Sequence, residues 1–375
     1  MDCPTLTECT ELTDHDSTEQ LTPIQVHDTV VLVSPLNSYD GYGMHGSQIA
    51  NDFLDWGYNM KLRAHMDEHT VKGARVPDRL KRCIVHRDEL QPHPWELILW
   101  PPQLTCSPGK RTVYFTMWES TRLPQGCVQV LNQAEVVVVP CEWNRLCFTA
   151  EGVTAPIRVC QLGIHTHIFT PSPMDMNGPT IFGTAGRLAG GGHRKGLSDV
   201  IDAFLLAFPR EHNVRLRIKC FPDCPLPTVR DPRIQLTRAL LTWEEMANWI
   251  RGLTCFVSAS KGEGFGLIQL QALACGRPLI AAKFSGLTEF FNDQVGYPVP
   301  YKLIEATGTY ANCGHSCLPS VDGMVERMRH MHANREEARE KGEKGAKSTA
   351  HMSWQRASGL LLNVMKEVGM VSATS

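Results

Sequence analysis

KGEGFGLIQLQALACGRPLIAA, residues 261–282, is the stretch from which the rest of the chain is interpreted. Its first residues include Gly262, Gly264 and Gly266, which let the backbone approach a ligand closely. Apolar residues then recur at helical spacing from Leu267 until a glycine and a proline end the pattern. The first N–H groups of such a helix lack intrahelical partners and lie at the positive end of its dipole, so this stretch predicts a phosphate or diphosphate site.

Two polar side chains flank that predicted anion site. Glu263 precedes the helix and Gln271 lies about one turn inside it. The run EGFGLIQLQALACGRPLI resembles the donor-sugar motif of the GT-B glycosyltransferases of glycosyltransferase family 4. The resemblance implies that Glu263 holds hydroxyls of the transferred sugar and that Gln271 replaces a glutamate that holds the ribose, without its charge. The backbone that would hold sugar and phosphate is that of Gly264, Phe265, Gly266 and Leu267. A plain tight turn before a helix is the alternative.

Length and composition fit two globular domains in a cytoplasmic protein. The chain has 375 residues, 42% of them hydrophobic, and a formal charge of -2 that gives no global attraction to nucleic acid or membrane. No apolar run reaches transmembrane length, and the N-terminus is acidic where a signal peptide would be basic. Fourteen cysteines without a secretory signal are expected to be reduced thiols. Zinc binding is a weaker alternative, suggested by the spacings of Cys220 and Cys224 and of Cys313 and Cys317, because a matching second pair at the usual separation is missing.

The N-terminal half begins with a tail and a strand–loop–helix unit. Residues 1–27 are acidic and polar, and their Asp14-His15-Asp16 mimics a metal-binding DxD without the strand that would present it. TVVLVSPL, at 29–36, predicts a strand, and a helix is predicted from Ser47. This order resembles the first half of a GT-B enzyme. The resemblance implies that the intervening loop, with Gly41 and Gly43, faces the cleft and approaches donor phosphate or acceptor; a simple glycine turn is the alternative.

Further strands and helices alternate up to residue 163, which predicts a parallel doubly wound sheet. Buried strands are predicted at 95–100, 112–117, 135–140 and 156–163. The segment from Val113 to Pro171 is similar to a family 4 subgroup with a TMxE, LP, VPSxWN and PLGxD order. Glu119 falls near a catalytic-site histidine of other members, which implies contact with the transferred sugar or the acceptor; a structural carboxylate is the alternative. His165 stands where that family has aspartate.

The C-terminal half follows a predicted linker at 171–179. Residues 180–209 predict a strand, a loop with Arg187 and Lys195, and an amphipathic helix. They resemble the family's GRL…KG element, in which the arginine and lysine neutralise the donor diphosphate. Two fixed cations would stabilise the charge that develops on a departing diphosphate. The run SGLTEFFND, from Ser285, resembles a further donor-site element of the family.

A local run of positive charge lies in the first half of the chain. Residues 72–87 contain six basic residues and a single acid, Asp78. Such a patch in an acceptor-binding domain would attract a phosphorylated lipid or nucleic acid. A solvated helix face is the alternative reading. The six are Lys72, Arg75, Arg79, Lys81, Arg82 and Arg87.

These observations predict an α/β protein of GT-B architecture, with two doubly wound Rossmann-like domains facing a central cleft. The expected divisions are a tail (1–27), an acceptor-side domain (28–172), a nucleotide-sugar domain (173–350) and a C-terminal helix returning to the first domain (351–375). The resemblance implies a retaining glycosyltransferase that needs no metal or cofactor and uses a nucleoside-diphosphate sugar as co-substrate. The expected catalytic residues are Glu263, Arg187, Lys195 and Glu119.

The acceptor, the nucleotide and the sugar remain open at this point. A glycan, a lipid-linked sugar, a small molecule and a hydroxymethylated base of viral DNA are all compatible with a hydroxyl acceptor. A non-catalytic sugar-nucleotide or glycan binding protein is the alternative in another functional class, because Gln271 and His165 replace acids of the family.

Overall fold

The computed structural model describes residues 27–36, 41–64, 76–187, 194–224 and 229–373. The Asp14-His15-Asp16 run, Lys72 and Arg75 lie outside these residues. Within them, every helix is too short or too polar to span a bilayer.

The first domain is built on a six-stranded sheet that is parallel throughout. Its strands are β1 (His27–Ser34), β2 (Tyr58–Ala64), β3 (Trp95–Leu99), β4 (Arg111–Phe115), β5 (Val136–Val139) and β6 (Ile157–Val159). They follow the order β2–β1–β3–β4–β5–β6, so the order reverses between β1 and β3. Helices cover both faces of the sheet, so a central strand is buried on both sides, and β5 consists of four valines. These helices are α1 (Gly41–Asp55), α2 (Asp78–Lys81), α3 (Cys127–Leu131) and α4 (Glu142–Ala150), with a 3-10 turn at Arg87–Leu90.

Helix α1 begins six residues earlier than the sequence predicted. Gly41 and Gly43 were expected in a loop, but both belong to the first turn of the helix. The reason is packing against the end of β1: a Cβ on Gly46 would lie 2.0 Å from Ser34 Oγ and 2.8 Å from Pro35 O. The glycine at this position therefore lets the helix approach the strand, and the expectation of a glycine loop here was wrong.

The second domain repeats the doubly wound plan. Its strands are β7 (Thr180–Gly186), β8 (Val214–Cys220), β9 (Ile234–Arg238), β10 (Cys255–Ser258), β11 (Leu279–Ala281) and β12 (Gly296–Pro298). All are parallel, in the order β12–β11–β10–β7–β8–β9, so the order reverses between β7 and β10. The helices between them are α5 (Leu197–Ala207), α6 (Trp243–Arg251) and α7 (Leu267–Ala274), followed by a 3-10 turn at Ser285–Glu289. Ligands of such sheets bind where the strand order reverses, outside the carboxyl ends of the strands.

The remaining elements follow the second sheet in the chain. An antiparallel hairpin, β13 (Tyr301–Glu305) and β14 (His315–Pro319), follows β12, and a 3-10 turn at Gly308–Tyr310 lies in its connecting loop. The chain then forms α8 (Val321–Ala333), α9 (Arg335–Thr349) and α10 (Trp354–Glu367). Helix α10 packs against α1, where Ser358 Oγ donates a 2.6 Å hydrogen bond to Asp52 Oδ2. The two doubly wound sheets confirm the predicted fold class; the hairpin was not predicted.

Candidate functional site

A cavity of about 460 Å³ lies between the domains, at the strand ends where both sheets reverse their order. Its first-domain wall includes Tyr42, Met117 and Glu119, and its second-domain wall includes the start of α7 and the loops after β7 and β10. Tyr42 is fixed in this wall because its hydroxyl donates to Met117 O at 3.0 Å and accepts from Met117 N at 3.1 Å.

Glu263 is the centre of the charged groups in the cavity. Lys195 Nζ donates to both of its carboxylate oxygens at 2.7 Å, and Arg194 Nη1 lies 3.4 Å from Oε2. Arg194 also donates to the carbonyl of Gly262, and Gln269 Nε2 reaches Glu263 Oε1 at 3.3 Å. Burial alone would raise the pKa of Glu263, but the two cations outweigh it and lower the pKa to about 2. The carboxylate is therefore charged at neutral pH although its residue is only 6% exposed.

The loop that carries Glu263 is fixed by close backbone packing. A Cβ on Gly264 would lie 2.5 Å from Met117 Cγ, and one on Gly262 would lie 2.2 Å from Glu119 O. The Glu263 N–H donates to Ser285 Oγ at 2.8 Å, so the Ser285 turn holds the loop from the other side. The loop thus passes between the two domains at contact distance, and only glycine fits there.

Helix α7 starts directly after this loop, with Gly266 as its N-cap at φ 104°. This left-handed conformation favours glycine and turns the chain from the loop into the helix. Leu267 and Phe265 line the cavity beside the helix end, so the unpaired N–H groups of the first turn lie at the cavity wall. An anion placed there would be held by N–H donors and by the helix dipole.

Two further cations of the cavity wall lie beside Phe221. The Arg187 guanidinium carbon is 5.2 Å and the Lys219 Nζ 4.9 Å from the centre of the Phe221 ring. Arg187 Nη2 is 4.0 Å from Asp223, and its buried Nε has no hydrogen-bond partner among the described residues. This guanidinium is therefore held mainly by stacking, and it retains donors for an anionic ligand.

Two glutamines of α7 have different surroundings. Gln271 is buried and lines the cavity one turn inside the helix. The Gln269 amide donates to Ser258 Oγ at 3.0 Å as well as to Glu263. Because its nitrogen faces a carboxylate, its oxygen points the other way, and that buried oxygen has no partner within the described part of the chain.

Glu119 follows β4 on the first-domain side of the cavity. One of its oxygens lies 3.9 Å from Arg194 Nη2, and its carboxylate is hydrogen-bonded to the side chain of Tyr310. Burial raises the pKa of Glu119, whereas Arg194 and the Tyr310 hydrogen bond act in the opposite direction. The side chain thus belongs to the same charged cluster as Glu263, approached from the opposite domain.

The structure brings most of the sequence-predicted residues to this one cavity. The cavity is lined by Gly41, Glu119, Arg187, Lys195, Glu263, Gly264, Phe265, Gly266, Leu267 and Gln271. Gly43 is the exception, since it is buried in α1 and does not line the cavity.

Sequence reasoning missed Arg194, Gln269, Lys219 and Tyr310. Arg194 directly precedes Lys195, so a second cation in the loop before α5 was a signal that could have identified it. The other three are placed by tertiary contacts and have no motif of their own. Within the described residues, no group of three His, Cys, Asp or Glu side chains is arranged to hold a metal ion, and the described cysteines are free thiols.

The predicted basic patch is partly neutralised. Arg79 pairs with Asp55 at 2.6 Å, and Lys81 pairs with Asp78 at the same distance. Neither cation lines the cavity. His165 also lies outside the cavity lining, with its ring 5.1 Å from that of Trp243, and burial lowers its pKa to about 4.

Comparison with known proteins places the second domain among glycosyltransferase sequences. The family described as glycosyl transferases group 1 matches residues 179–309, the range that contains Arg187, Lys195 and Glu263. D-inositol 3-phosphate glycosyltransferase of Saccharomonospora viridis is 29% identical over 125 residues, 33% of this chain and 25% of that protein. The Streptomyces bingchenggensis protein of the same name is 46% identical over 46 residues, 12% of this chain and 10% of that one. These matches span a quarter or less of the relatives' own length.

Solved structures extend the similarity to nearly the whole chain. Sucrose-phosphate synthase from Thermosynechococcus elongatus has a TM-score of 0.67 at 14% identity, covering 92% of this chain and 100% of that one. Anabaena HepE, solved in complex with UDP and glucose, also has a TM-score of 0.67, at 12% identity, covering 91% of this chain and 100% of that one. The lipopolysaccharide glycosyltransferase WaaG has a TM-score of 0.60 at 13% identity, covering 92% and 100%. At such identities the likeness establishes the fold: two Rossmann-like domains in the GT-B arrangement.

Proposed function

We propose that this protein is a retaining glycosyltransferase that moves a sugar from a nucleoside-diphosphate sugar to a hydroxyl acceptor. The observation that carries the proposal is the charged cluster at the strand reversal of the second sheet. There Glu263, held by Lys195 and Arg194, lies beside the N-terminal end of α7. The match of residues 179–309 to glycosyl transferases group 1 supports the same activity.

The proposed donor lies along the second-domain wall. Its diphosphate binds the first N–H groups of α7 and the cations Arg187, Arg194 and Lys195, all of which line the same cavity. Glu263 then holds hydroxyls of the transferred sugar, and Gln271, farther along α7, holds the ribose. The cations of the cavity outnumber its carboxylates, Glu119 and Glu263, which gives the site a surplus of positive charge for a diphosphate.

The proposed reaction uses one face of the sugar. The bond between the anomeric carbon and the diphosphate oxygen breaks, and the acceptor oxygen forms its bond to that carbon from the same side. The acceptor proton passes to the departing diphosphate, so the protein need not supply a nucleophile. Arg187 and Lys195 stabilise the negative charge that develops on the leaving group, and Glu263 stabilises the positive charge that develops on the sugar.

Metal independence is part of the proposal. In the proposed complex, the cations and the α7 N-terminus offset the charge of the diphosphate, as a divalent ion would do in other sites. The acceptor binds on the first-domain side, near Glu119 and Met117, and reaches the sugar across the cavity. Its class stays open among a glycan, a lipid-linked sugar, a small molecule and a modified DNA base.

The test combines nucleotide binding with turnover. The full chain is screened by calorimetry against UDP, GDP, ADP and CDP, and the sugar derivative of the best binder is then followed for release of diphosphate, with and without EDTA. We expect one nucleotide to bind and its sugar to be hydrolysed slowly in both conditions. Binding without release would indicate a binding protein, and loss of activity in EDTA would contradict the metal-free mechanism.

Site variants connect that activity to the cavity. Arg187→Ala and Lys195→Ala are each expected to lower turnover by about ten- to a thousandfold, because each removes a cation from the leaving group. Arg79→Ala is the matched control, since Arg79 is a surface cation that pairs with Asp55 away from the cavity. Wild-type turnover in both site variants would exclude the proposed assignment.

A further inference from the structure

The hairpin of β13 and β14 carries second-domain residues across to the first domain. Its return strand is hydrogen-bonded to the segment directly after Glu119. The Thr121 N–H donates to His315 O at 3.0 Å, the Arg122 N–H donates to Cys313 O at 3.1 Å, and the His315 N–H donates to Thr121 Oγ1 at 2.8 Å. The connecting loop of the hairpin is thereby fixed next to the acceptor side of the cavity.

Tyr310 lies in that connecting loop and contacts residues of both domains. Its ring centre is 4.9 Å from that of Trp118, and the Arg194 guanidinium carbon is 5.6 Å from the Tyr310 ring centre. Its hydroxyl donates a hydrogen bond to the Glu119 carboxylate. Neither ring contact depends on the hydroxyl, so packing and hydrogen bonding can be separated experimentally.

The hydroxyl decides where the Glu119 carboxylate points. Arg194 is 3.9 Å from Glu119, longer than a hydrogen bond, while the same guanidinium reaches the Gly262 carbonyl and lies 3.4 Å from Glu263. A buried carboxylate seeks donors. Without the Tyr310 hydroxyl, Glu119 would close on Arg194 and draw the guanidinium away from the loop that carries Glu263.

We propose that Tyr310 is a positioning residue for the transfer reaction: its hydroxyl holds Glu119 apart from Arg194, so that Glu119 stays available to the acceptor and Arg194 stays on the Glu263 loop. The inference rests on the proposed function, and it adds a role for the hairpin that the resemblance to family 4 did not imply. Tyr310 acts through these two side chains and does not itself touch the reacting atoms.

The variant that tests this role is Tyr310→Phe, which keeps the ring against Trp118 and Arg194 and removes only the oxygen. Turnover is expected to fall by about tenfold, the value of one hydrogen bond to a charged group. Affinity for the nucleoside diphosphate is expected to stay within about twofold, because one hydroxyl away from the donor makes no direct contact with it. Tyr301→Phe, on the exposed strand β13 of the same hairpin, is the matched control and is expected to leave turnover unchanged.

The pH dependence separates positioning from a purely structural role. Burial raises the pKa of Glu119, and the charge of Glu263 raises it further. Arg194, the Tyr310 hydrogen bond and Lys195 lower it. Tyr42 also faces this carboxylate. Loss of the hydroxyl removes one effect that lowers the pKa of Glu119, but the closer approach of Arg194 lowers it more, because an ion pair favours the charged carboxylate more than a neutral donor does. The acidic limb of turnover is therefore expected to move to lower pH in Tyr310→Phe. If Tyr310→Phe has the same turnover as wild type and the same acidic limb in its pH profile, the proposal is overturned.

A readout without turnover keeps this inference distinct from the proposed function. Titration of the Glu119 carboxyl is followed by NMR in protein labelled with carboxyl-¹³C glutamate, with Glu119→Gln for assignment. A downward move of that titration in Tyr310→Phe supports the positioning role even if no nucleotide sugar is consumed, in which case the proposed function fails instead. An unchanged or upward titration shows that Glu119 does not close on Arg194, and it contradicts the positioning role whether or not the protein is a transferase.

Discussion

Glu263 combines deep burial with a negative charge. The cost of removing a carboxylate from water is offset by Lys195, whose ammonium contacts both oxygens, and by Arg194. A diphosphate entering the cavity therefore meets cations that already share a carboxylate. In the proposed donor complex these contacts are redistributed, with the sugar beside the carboxylate and the phosphates beside the cations.

The charge of Glu263 makes stability depend on acid pH. Its pKa is lowered from 4.5 to about 2, since the cations outweigh the effect of burial. A carboxyl whose pKa is lower in the folded state stabilises the fold above its unfolded pKa and loses that contribution as pH falls. Between about pH 4.5 and 2, the melting temperature is expected to fall less steeply in Glu263→Gln than in wild type. Glu305→Gln, at an exposed side chain, is the control; parallel melting curves for Glu263→Gln and wild type would contradict the prediction.

Gln271 offers a complementary test of the donor orientation. If its amide faces ribose hydroxyls, Gln271→Glu supplies a charged acceptor and is expected to tighten nucleoside diphosphate binding by about 0.5 to 1.5 kcal/mol. Glu263→Gln is expected to lower turnover far more than nucleotide affinity, because positive charge develops on the sugar in the transition state. Calorimetry and turnover on both variants provide the comparison. Equal loss of affinity with unchanged turnover in Glu263→Gln would mean that sugar and ribose are reversed.

At the scale of elements, the loop between β10 and α7 makes a close contact with the first domain. The missing side chain of Gly262 leaves room for the carbonyl of Glu119, which would lie 2.2 Å from a Cβ. This contact is between backbone atoms, which cannot rotate away as the end of a flexible side chain can. The loop and the strand end carrying Glu119 are therefore fitted to each other.

Gly262→Ala is expected to separate the two loops. Because the added methyl group overlaps backbone, the variant is expected to lose about 1 to 3 kcal/mol of unfolding free energy and most of its turnover. Gly359→Ala, in α10, is the matched control: a Cβ there meets nothing within 4 Å, and alanine favours a helix over glycine by about 1 kcal/mol. Urea unfolding measures both, and a Gly262→Ala variant as stable as wild type would show that the loops can move apart freely.

The sequence allowed the periodic elements and the donor loop to be predicted, because both leave a local pattern. Apolar runs marked the buried parallel strands, and the glycines before Leu267 marked the start of α7. The start of α1 was missed because Gly46 meets Ser34 across a tertiary contact that spacing does not reveal. Gln269 was missed for the same reason: nothing in its sequence neighbourhood indicates that its amide reaches Glu263.

At the scale of the whole molecule, two domains, a linker and a returning C-terminal helix were predicted, but the hairpin that also joins the domains was not. The hairpin residues around Tyr310 show no periodicity that distinguishes them from a surface loop. The residues that the hairpin contacts, Thr121 and Arg122, are almost two hundred residues earlier in the chain. The return of α10 to α1 was expected from the family resemblance, whereas its hydrogen bond to Asp52 is visible only in the structure. Interdomain geometry depends on such distant pairs.

The backbone hydrogen bonds between the hairpin and the first domain can be used to measure how readily the two separate. The backbone N–H groups of Thr121 and Arg122 donate to carbonyls of the hairpin. They exchange with solvent only when these hydrogen bonds open, and fluctuations elsewhere in either domain leave them protected. Their deuterium uptake therefore reports the free energy of separating the hairpin from the first domain.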